Sequence, residues 1–200
     1  MQLYLNQTSP YARVARIVAM EKGLLDRVEL AWVDPWAESD TLISVNPASR
    51  IPVLTTDDGE ALAESLLIAL YLDEQGDSNR LVPAPDRHQP TLPQDSLIGL
   101  ETLVFTADHG VERGICQGLA PACQSQHPGL VRRLLAELAR GTDRPAMAMP
   151  LNLGHIVVAV ALDYLDFRLP ELSWREKHPA LATWADPVLG RDTFVQTAFE

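Results

Sequence analysis

The stretch from Ile51 to Ser65 reads IPVLTTDDGEALAES and contains the most informative local signals in the chain. Its apolar start, Ile51–Leu54, is typical of a strand, and Asp57-Asp58-Gly59 is a hairpin turn sequence. The short run Glu60–Leu62 is predicted to return as the next strand. From Ser65 to Glu74 the apolar residues recur at helical spacing, so the stretch predicts a β-hairpin that leads directly into a helix.

Upstream of this hairpin, strand and helix signals alternate. Short apolar or alternating runs indicate strands, and a hydroxyl residue followed by proline indicates a helix start. The predicted elements are a strand at Leu3–Leu5, a helix that starts at Thr8-Ser9-Pro10 and ends near Gly23, a strand at Val28–Val33 and a short helix at Ser39–Val45. The order βαβαββα predicts a small α/β domain over residues 1–76.

Downstream of residue 76 the strand signals stop. Four prolines between Val82 and Pro93 indicate a linker, which we place at residues 77–93, because proline fixes φ and removes a backbone donor. Residues 94–200 are predicted to form an all-α domain. Its predicted helices are Leu97–Val111, Leu130–Leu138, Asn152–Phe167 and Ala180–Leu189.

Composition narrows the class of protein. The chain of 200 residues has 46% apolar and 22% charged residues, ordinary globular values, and a formal net charge of −11. Because nucleic-acid and anionic-membrane binders depend on Lys and Arg, we expect neither partner, although a small anionic ligand stays compatible with a local positive site. No signal peptide is recognised at Met1, and the longest apolar run, Ile156–Leu162, is far shorter than the roughly 20 residues of a membrane span.

Cysteine and histidine usage is sparse. Cys116 and Cys123 form neither a disulfide framework nor a CxxC pair, which favours a reducing, cytoplasmic setting. The five histidines have no metal-ligand spacing, so no metal site is predicted. The four tryptophans are expected to be packing residues.

Three short motifs have the residue types of a binding site. Ser9, at the start of the first helix, combines a hydroxyl with backbone N–H groups and the helix dipole, which favour an anion such as a thiolate; the alternative is a simple helix cap. Ile51-Pro52 suggests either a cis proline that leaves the Ile51 backbone free to pair with an extended peptide, or an edge strand with a trans proline. Glu64-Ser65 suits the ammonium and carboxylate of an α-amino acid head, or again a helix cap.

Together the motifs resemble the cytosolic glutathione S-transferase family, in its bacterial serine-type form with a Ser-Pro motif. The resemblance covers most of residues 1–75 and is thinner beyond, where Leu151–Arg168 and Trp184–Phe194 look like the sixth helix and the C-terminal end of the family. The stretches that carry it in the first domain are Thr8-Ser9-Pro10-Tyr11-Ala12-Arg13, Asn46-Pro47 with Ile51-Pro52-Val53-Leu54, and Glu64-Ser65 with Tyr71-Leu72-Asp73-Glu74.

The resemblance implies a thioredoxin-like fold for the first domain and a role for each motif. Ser9 matches the residue that activates the glutathione thiol, with Thr8 as the runner-up one position earlier. Ile51, before the cis proline Pro52, matches the residue whose backbone binds the cysteinyl unit. Glu64 and Ser65 match the pair that binds the γ-glutamyl head, and Arg50 is a candidate for the glycyl end.

The resemblance also implies a function. We expect a homodimeric transferase that joins the thiolate of glutathione, its cosubstrate, to hydrophobic electrophiles in detoxification, with the electrophile pocket in the all-α domain. A thiol-disulfide reductase would need an active-site cysteine, and residues 1–115 contain none. A non-catalytic glutathione-binding or regulatory protein on the same fold is the alternative.

Two positions depart from the family pattern. Ser49 stands where the family often has glycine, and Asn152-Leu153-Gly154-His155 stands where it usually has a Ser/Thr-x-x-Asp capping box. The second departure predicts a weaker reciprocal cap, because histidine is a poorer acceptor for the N-cap amide.

Overall fold

The computed structural model describes residues 1–37, 39–76, 78, 80–82 and 127–200. The chain divides into two compact units, one formed by Met1–Pro83 with Arg191–Glu200 and the other by Ala84–Gly190. An α/β unit and a helical unit were both expected, and this fold class is confirmed. The boundaries at residues 76 and 94 stay predictions, and most of the linker and the whole helix Leu97–Val111 lie outside the described residues.

The first unit is built on a four-stranded sheet with the spatial order β2–β1–β3–β4. Strand β1 runs parallel to β2 and antiparallel to β3, and β4 lies antiparallel to β3 at one edge. The strands are β1 Gln2–Leu5, β2 Glu29–Trp32, β3 Val53–Thr55 and β4 Ala61–Ala63, and the helices are α1 Pro10–Glu21, α2 Asp40–Val45 and α3 Ser65–Gln75. These elements have the predicted order βαβαββα, and residues 191–200 add a short helix, Asp192–Val195, to the same unit.

Helices cover both faces of this sheet, as the side-chain alternation along the strands requires. Tyr4 and Val53 point to one face, where they form a buried cluster with Leu42 of α2. Their neighbours Leu3 and Leu54 therefore point to the opposite face, where α1 and α3 pack against each other. The sheet is therefore held by buried residues on both of its faces. The candidate motifs lie in the segments next to the ends of its strands.

Helix α1 ends where the sequence predicted. Lys22 is its C-cap, and Gly23 follows with a φ of 67°, in the left-handed region that glycine adopts at little cost. The N–H of Leu24 donates to the carbonyl of Ala19 at 2.8 Å, and that of Gly23 donates to Met20 at 3.0 Å. This pair of bonds is a Schellman motif, so the predicted stop at Gly23 is confirmed.

A buried ion pair joins α1 to α3 next to this end. The ammonium of Lys22 lies 3.1 Å from the carboxylate of Asp73, and both side chains are almost fully buried. The same carboxylate accepts from the backbone N–H groups of Leu81 at 2.8 Å and Val82 at 3.1 Å. A Cβ on Gly76 would lie 2.7 Å from the carbonyl oxygen of Lys22, so only glycine permits this close approach.

The second unit is helical over its described residues. The helices are α4 His127–Arg140, α5 Leu153–Arg168, α6 Trp174–Lys177 and α7 Pro179–Leu189, with short 3-10 turns at Pro145–Ala148 and Pro170–Leu172. Every residue from 153 to 162 is buried, so α5 is the core helix of this unit. The three predicted helices that fall in the described part are confirmed within a few residues at each end.

The N-terminus of α5 shows how the altered capping sequence works. Asn152 caps the helix, since its side-chain oxygen accepts from the N–H of His155 at 3.1 Å. The ring of His155 does not complete a reciprocal box; its Nε2 lies 2.8 Å from the carbonyl of Ala146, and its edge meets Trp184. One half of the predicted box is thus present, and the other half is replaced by a bond to the preceding turn.

His155 is expected to make the stability of the protein pH-dependent. Burial lowers the pKa of its imidazole below the ordinary value, although the bond to Ala146 opposes the shift. The folded state therefore prefers the neutral ring. As the pH falls below about 6.5, the unfolded chain gains a proton first and the free energy of unfolding decreases until the folded pKa is passed. Chemical denaturation between pH 7.5 and pH 5 should show this slope, and His155→Gln should reduce it. An equal slope in that variant would contradict the assignment.

Within the described part of the chain, none of the helices is long and apolar enough to cross a membrane.

Candidate functional site

The three candidate motifs meet at one end of the sheet. In the strand register Tyr4 pairs with Val53, and Val53 pairs with Ala63. Because β1 is antiparallel to β3 and β3 is antiparallel to β4, the residues after β1, before β3 and after β4 all leave the sheet at the same end. Ser9, Ile51-Pro52 and Glu64-Ser65 are those residues, so the fold brings together motifs that are far apart in sequence.

Ser9 is the N-cap of α1. Its backbone is extended, its Oγ accepts from the N–H of Ala12 at 3.2 Å, and Pro10 occupies the first helical position. The N–H of Ser9 donates to Oδ1 of Asn6 at 2.8 Å, which fixes the turn before the helix. A hydroxyl that accepts through its oxygen still has its own proton to donate. Capping and donation to a ligand are therefore compatible roles for the same half-buried side chain, and Thr8 beside it is half-buried as well.

The peptide bond between Ile51 and Pro52 is cis, which confirms one of the two alternatives for this motif. Pro52 is buried, and Ile51 is partly buried against the α2 side of the sheet. Directly before it, the side chain of Asn46 folds back on the loop: its amide donates to the carbonyl of Arg50 at 2.9 Å, and its oxygen accepts from the N–H of Ala48 at 3.1 Å. Asn46 thus fixes the direction in which the chain enters β3.

Ser49 has a backbone conformation that favours glycine. Its φ of 51° lies in the left-handed region, which costs a non-glycine residue roughly 1–2 kcal/mol. Its hydroxyl donates to the carbonyl of Pro35 at 3.0 Å and so ties the loop before β3 to the loop after β2. The serine offsets part of its backbone cost with this bond.

We expect Ser49→Ala to lower the free energy of unfolding by about 1 kcal/mol, because it loses the bond and keeps the unfavourable backbone. Ser49→Gly loses the same bond but relieves the backbone, so it should be more stable than the alanine variant by about 1 kcal/mol. Urea denaturation of the two variants checks this order. Equal stabilities would mean that the backbone conformation at Ser49 costs little.

The pair Glu64-Ser65 lies at the start of α3. Glu64 is the N-cap with a φ of 77°, and Ser65 is the first helical residue and is buried. Within the described residues no side chain caps this helix, so the alternative of a side-chain cap at this pair is not observed. The first-turn N–H groups of α3 therefore keep the donor character and partial positive charge that attract a carboxylate. The exposed carboxylate of Glu64 lies directly before them.

Arg50 and Trp36 complete this end of the sheet. Arg50 is exposed in the loop before β3. Trp36 lies in the loop after β2, which emerges at the same end since β2 is parallel to β1, and its side chain is 75% exposed. The expectation that Trp36 is a packing residue is wrong. Its neighbours Asp34 and Pro35, which are turn formers, were the available signal that it lies in a surface loop.

The predicted pocket for a second substrate falls mainly outside the described residues, as do Cys116 and Cys123.

Comparisons with known proteins identify the family to which this fold belongs. Residues 8–75 match the family model "Glutathione S-transferase, N-terminal domain", and residues 121–186 match "Glutathione S-transferase, C-terminal domain". A curated relative, the uncharacterized GST-like protein YibF of Escherichia coli (strain K12), is 27% identical over 212 residues, which cover 98% of each chain.

Two solved structures extend the likeness to the whole chain. A glutathione transferase family member from Pseudomonas fluorescens Pf-5 with bound glutathione is 30% identical, covers 100% of this chain and 98% of its own, and has a TM-score of 0.85. The same protein has also been crystallised with bound S-(propanoic acid)-glutathione. A glutathione S-transferase from Methylobacterium radiotolerans JCM 2831 in complex with glutathione sulfonate is 28% identical, covers 100% and 95%, and has a TM-score of 0.87. The chain belongs to the glutathione S-transferase family.

Proposed function

We propose that the protein is a glutathione transferase that joins the sulfur of glutathione to hydrophobic electrophiles. The observation that carries the proposal is the convergence of Ser9, Ile51-Pro52 and Ser65 at one end of the sheet. Each motif alone has a structural explanation. Their meeting places a hydroxyl donor, an extended backbone segment and an uncapped helix N-terminus around one surface, which matches the chemistry of a tripeptide with a thiol in its centre.

In this proposal each part of glutathione has its own partner. The α-carboxylate of the γ-glutamyl unit binds at Ser65 and the first-turn N–H groups of α3, and its ammonium binds the carboxylate of Glu64. The backbone of Ile51 pairs with the cysteinyl unit as a strand would. Arg50 holds the glycyl carboxylate. This arrangement directs the thiol toward the start of α1, where Ser9 lies.

Ser9 supports the thiolate by donating its O–H to the sulfur while its oxygen still caps α1. A free thiol has a pKa near 8.5, and donation to the charged form together with the helix dipole lowers it. The thiol proton leaves to solvent. The thiolate then forms a carbon–sulfur bond with the electrophile, and a leaving group such as a halide departs with its electron pair, so the protein supplies positioning and a lower pKa rather than a nucleophile of its own.

The similar proteins support the ligand class. The Pseudomonas protein binds both glutathione and a glutathione carrying a carbon substituent on sulfur, and the Methylobacterium protein binds glutathione sulfonate. A pocket that accepts a substituted sulfur is what a conjugation product requires. We extend this ligand class to the present chain because its candidate motifs lie on the matched fold.

The test is a spectroscopic conjugation assay with glutathione and a panel of aryl halides and epoxides, run beside calorimetric titration of glutathione. Binding together with turnover on a panel member would support the transferase. Binding without turnover across the panel would favour the alternative of a non-catalytic glutathione-binding or regulatory protein. Absence of binding would contradict both.

We also propose a cytoplasmic homodimer that acts in detoxification, as the family resemblance implies. Helix α3 supports the dimer, because the side chains of Leu67 and Leu70 are close to half exposed and give it an apolar outer face. Sedimentation analysis of the parent protein and of Leu70→Glu tests whether this face is covered in solution.

A further inference from the structure

The closing ten residues, 191–200, run back along α1 in the opposite direction; we call them the return segment. At the C-terminal end of α1, the carboxylate of Glu21 accepts from the guanidinium of Arg191 at 2.8 and 3.0 Å and from Thr193 Oγ at 2.7 Å. In the middle, Arg16 donates to the carbonyl of Gln196 at 3.3 Å. The contacts continue to the N-terminal end of α1, next to its N-cap Ser9.

Near the N-terminal end of α1, the return segment contacts Arg13, which lies one helical turn after Ser9. Its side chain is buried, with 4% exposure. The guanidinium donates to Thr197 Oγ at 3.3 Å and to the carbonyl of Phe194 at 3.2 Å, and it stacks on the ring of Phe199 at 4.3 Å from the centroid. Three residues of the return segment therefore fix the plane of this one guanidinium.

Arg13 is connected to the start of the helix in two ways. Its backbone N–H donates to the carbonyl of Ser9 at 3.0 Å. Long side chains in a helix lean toward its N-terminal end, so we expect the positive charge of Arg13, one turn from Ser9, to favour an anion bound at the start of α1. Because it is buried, solvent and salt screen this charge only weakly.

The loop before Ser9 has its own contact with the return segment. The side-chain amide of Gln7 donates to the carboxylate of Glu200 at 2.8 Å. The return segment thus contacts both sides of Ser9: Gln7 two residues before it and Arg13 four residues after it. A displacement of residues 197–200 would therefore alter contacts on both sides of Ser9, at Gln7 and at Arg13.

We propose that Thr197 and Phe199 are positioning residues for the thiol site, acting through Arg13. They hold the guanidinium where it stabilises the first turn of α1 and the thiolate beside Ser9. This inference rests on the proposed function, because it assigns a source for part of the lowered thiol pKa.

A matched pair of threonines separates this role from simple structural support. Thr197→Val removes the acceptor of Arg13 and also the bond that the Thr197 hydroxyl donates to the carbonyl of Thr193 at 2.7 Å. Thr193→Val makes the same substitution one helical turn away, where the side chain loses its bond to Glu21. Phe199→Leu removes the ring under Arg13 and keeps the apolar volume. The readouts are the thiol pKa of bound glutathione, from a pH titration of its ultraviolet thiolate absorbance, and the melting temperature.

We expect Thr197→Val and Phe199→Leu to raise the bound thiol pKa by about half a unit, which lowers kcat/KM about threefold below that pKa. Thr193→Val should lower the melting temperature and leave the thiol pKa unchanged. A pKa that moves equally in all three variants, or in none while the parent shows a lowered value, would overturn this inference alone. An ordinary thiol pKa in glutathione-bound parent protein would overturn the proposed activation and this inference with it.

Discussion

Replacing Ser9 with alanine is expected to lower kcat for conjugation about 10- to 100-fold, with the dissociation constant of glutathione nearly unchanged. The loss corresponds to one hydrogen bond to a charged sulfur, about 1.5–3 kcal/mol, which the thiolate needs more than the neutral thiol does. The contacts with glutathione that we propose for Ile51, Glu64 and Ser65 are unchanged in this variant, so we expect the affinity to be largely kept. Steady-state kinetics and calorimetric titration of the same preparation measure the two quantities.

Ser9 also caps α1, so the alanine variant alone mixes two effects. The cap is worth about 1 kcal/mol of stability. Ser9→Asp keeps a cap acceptor for the N–H of Ala12 but has no proton to donate and adds a negative charge beside the sulfur. It should be folded and inactive, whereas Ser9→Thr should keep measurable activity. If Ser9→Asp is active, Ser9 caps α1 but does not activate the thiol.

Thr8 provides the matched test of the runner-up. Thr8→Val keeps the shape and removes the hydroxyl, and we expect its turnover to stay within about twofold of the parent, a change of less than 0.5 kcal/mol. A large loss in this variant with little loss in Ser9→Ala would transfer the activating role to Thr8.

Asp73→Asn is expected to have the largest effect on folding, a loss of about 3–5 kcal/mol in the free energy of unfolding. The substitution removes the carboxylate charge that lies 3.1 Å from the buried ammonium of Lys22, a change far more costly than removal of an exposed ion pair. It also weakens the acceptor of the Leu81 and Val82 N–H groups. Urea denaturation followed by circular dichroism measures the loss.

The double variant Lys22→Met/Asp73→Asn is the control, because it keeps the same asparagine side chain for the Leu81 and Val82 N–H groups and differs from Asp73→Asn only at Lys22. It removes both charges, so it should be more stable than Asp73→Asn alone despite two changed residues. If the double variant is no more stable than the single one, the buried charge is not the cause of the loss.

Asp73 is also expected to make the free energy of unfolding depend on pH in the acid range. Burial alone would raise the pKa of its carboxyl, but the N–H of Leu81, the ammonium of Lys22 and the N–H of Val82 together hold that pKa below its ordinary value. The pair therefore contributes its full stability above the unfolded pKa of about 4 and loses it as the pH falls toward the folded value. This acid loss should be absent from Asp73→Asn.

Local signals explain which parts of the fold were predictable from the sequence. The stop at Gly23 and the turn at Asp57-Asp58-Gly59 each depend on a few adjacent residues, and both appear where they were expected. Strand ends were less accurate. The run Ile51–Leu54 was predicted as strand, but β3 begins only at Val53, because Pro52 has no N–H for the ladder.

The three candidate motifs are also local in sequence, but their meeting at one end of the sheet depends on the strand order, which entered through the family resemblance. The environment of Arg13 was not predictable in either way. Its partner Thr197 is 184 positions away, and no local pattern connects a helix of the first unit to those residues. The same holds for Lys22 and Asp73, whose charges give no sequence sign of being buried together.

The return segment also has a consequence for synthesis on the ribosome. The α/β unit is discontinuous in the chain, since residues 191–200 belong to it and are made after residues 84–190 of the other unit. Until they emerge, Arg13 lacks the hydrogen bonds to Phe194 and Thr197 and the contact with the ring of Phe199. Domains that are continuous in sequence fold as they are made, N-terminal first. Here the first unit is completed only after residues 84–190 have been made, so the contacts between α1 and residues 191–200 form after the second unit has been synthesised.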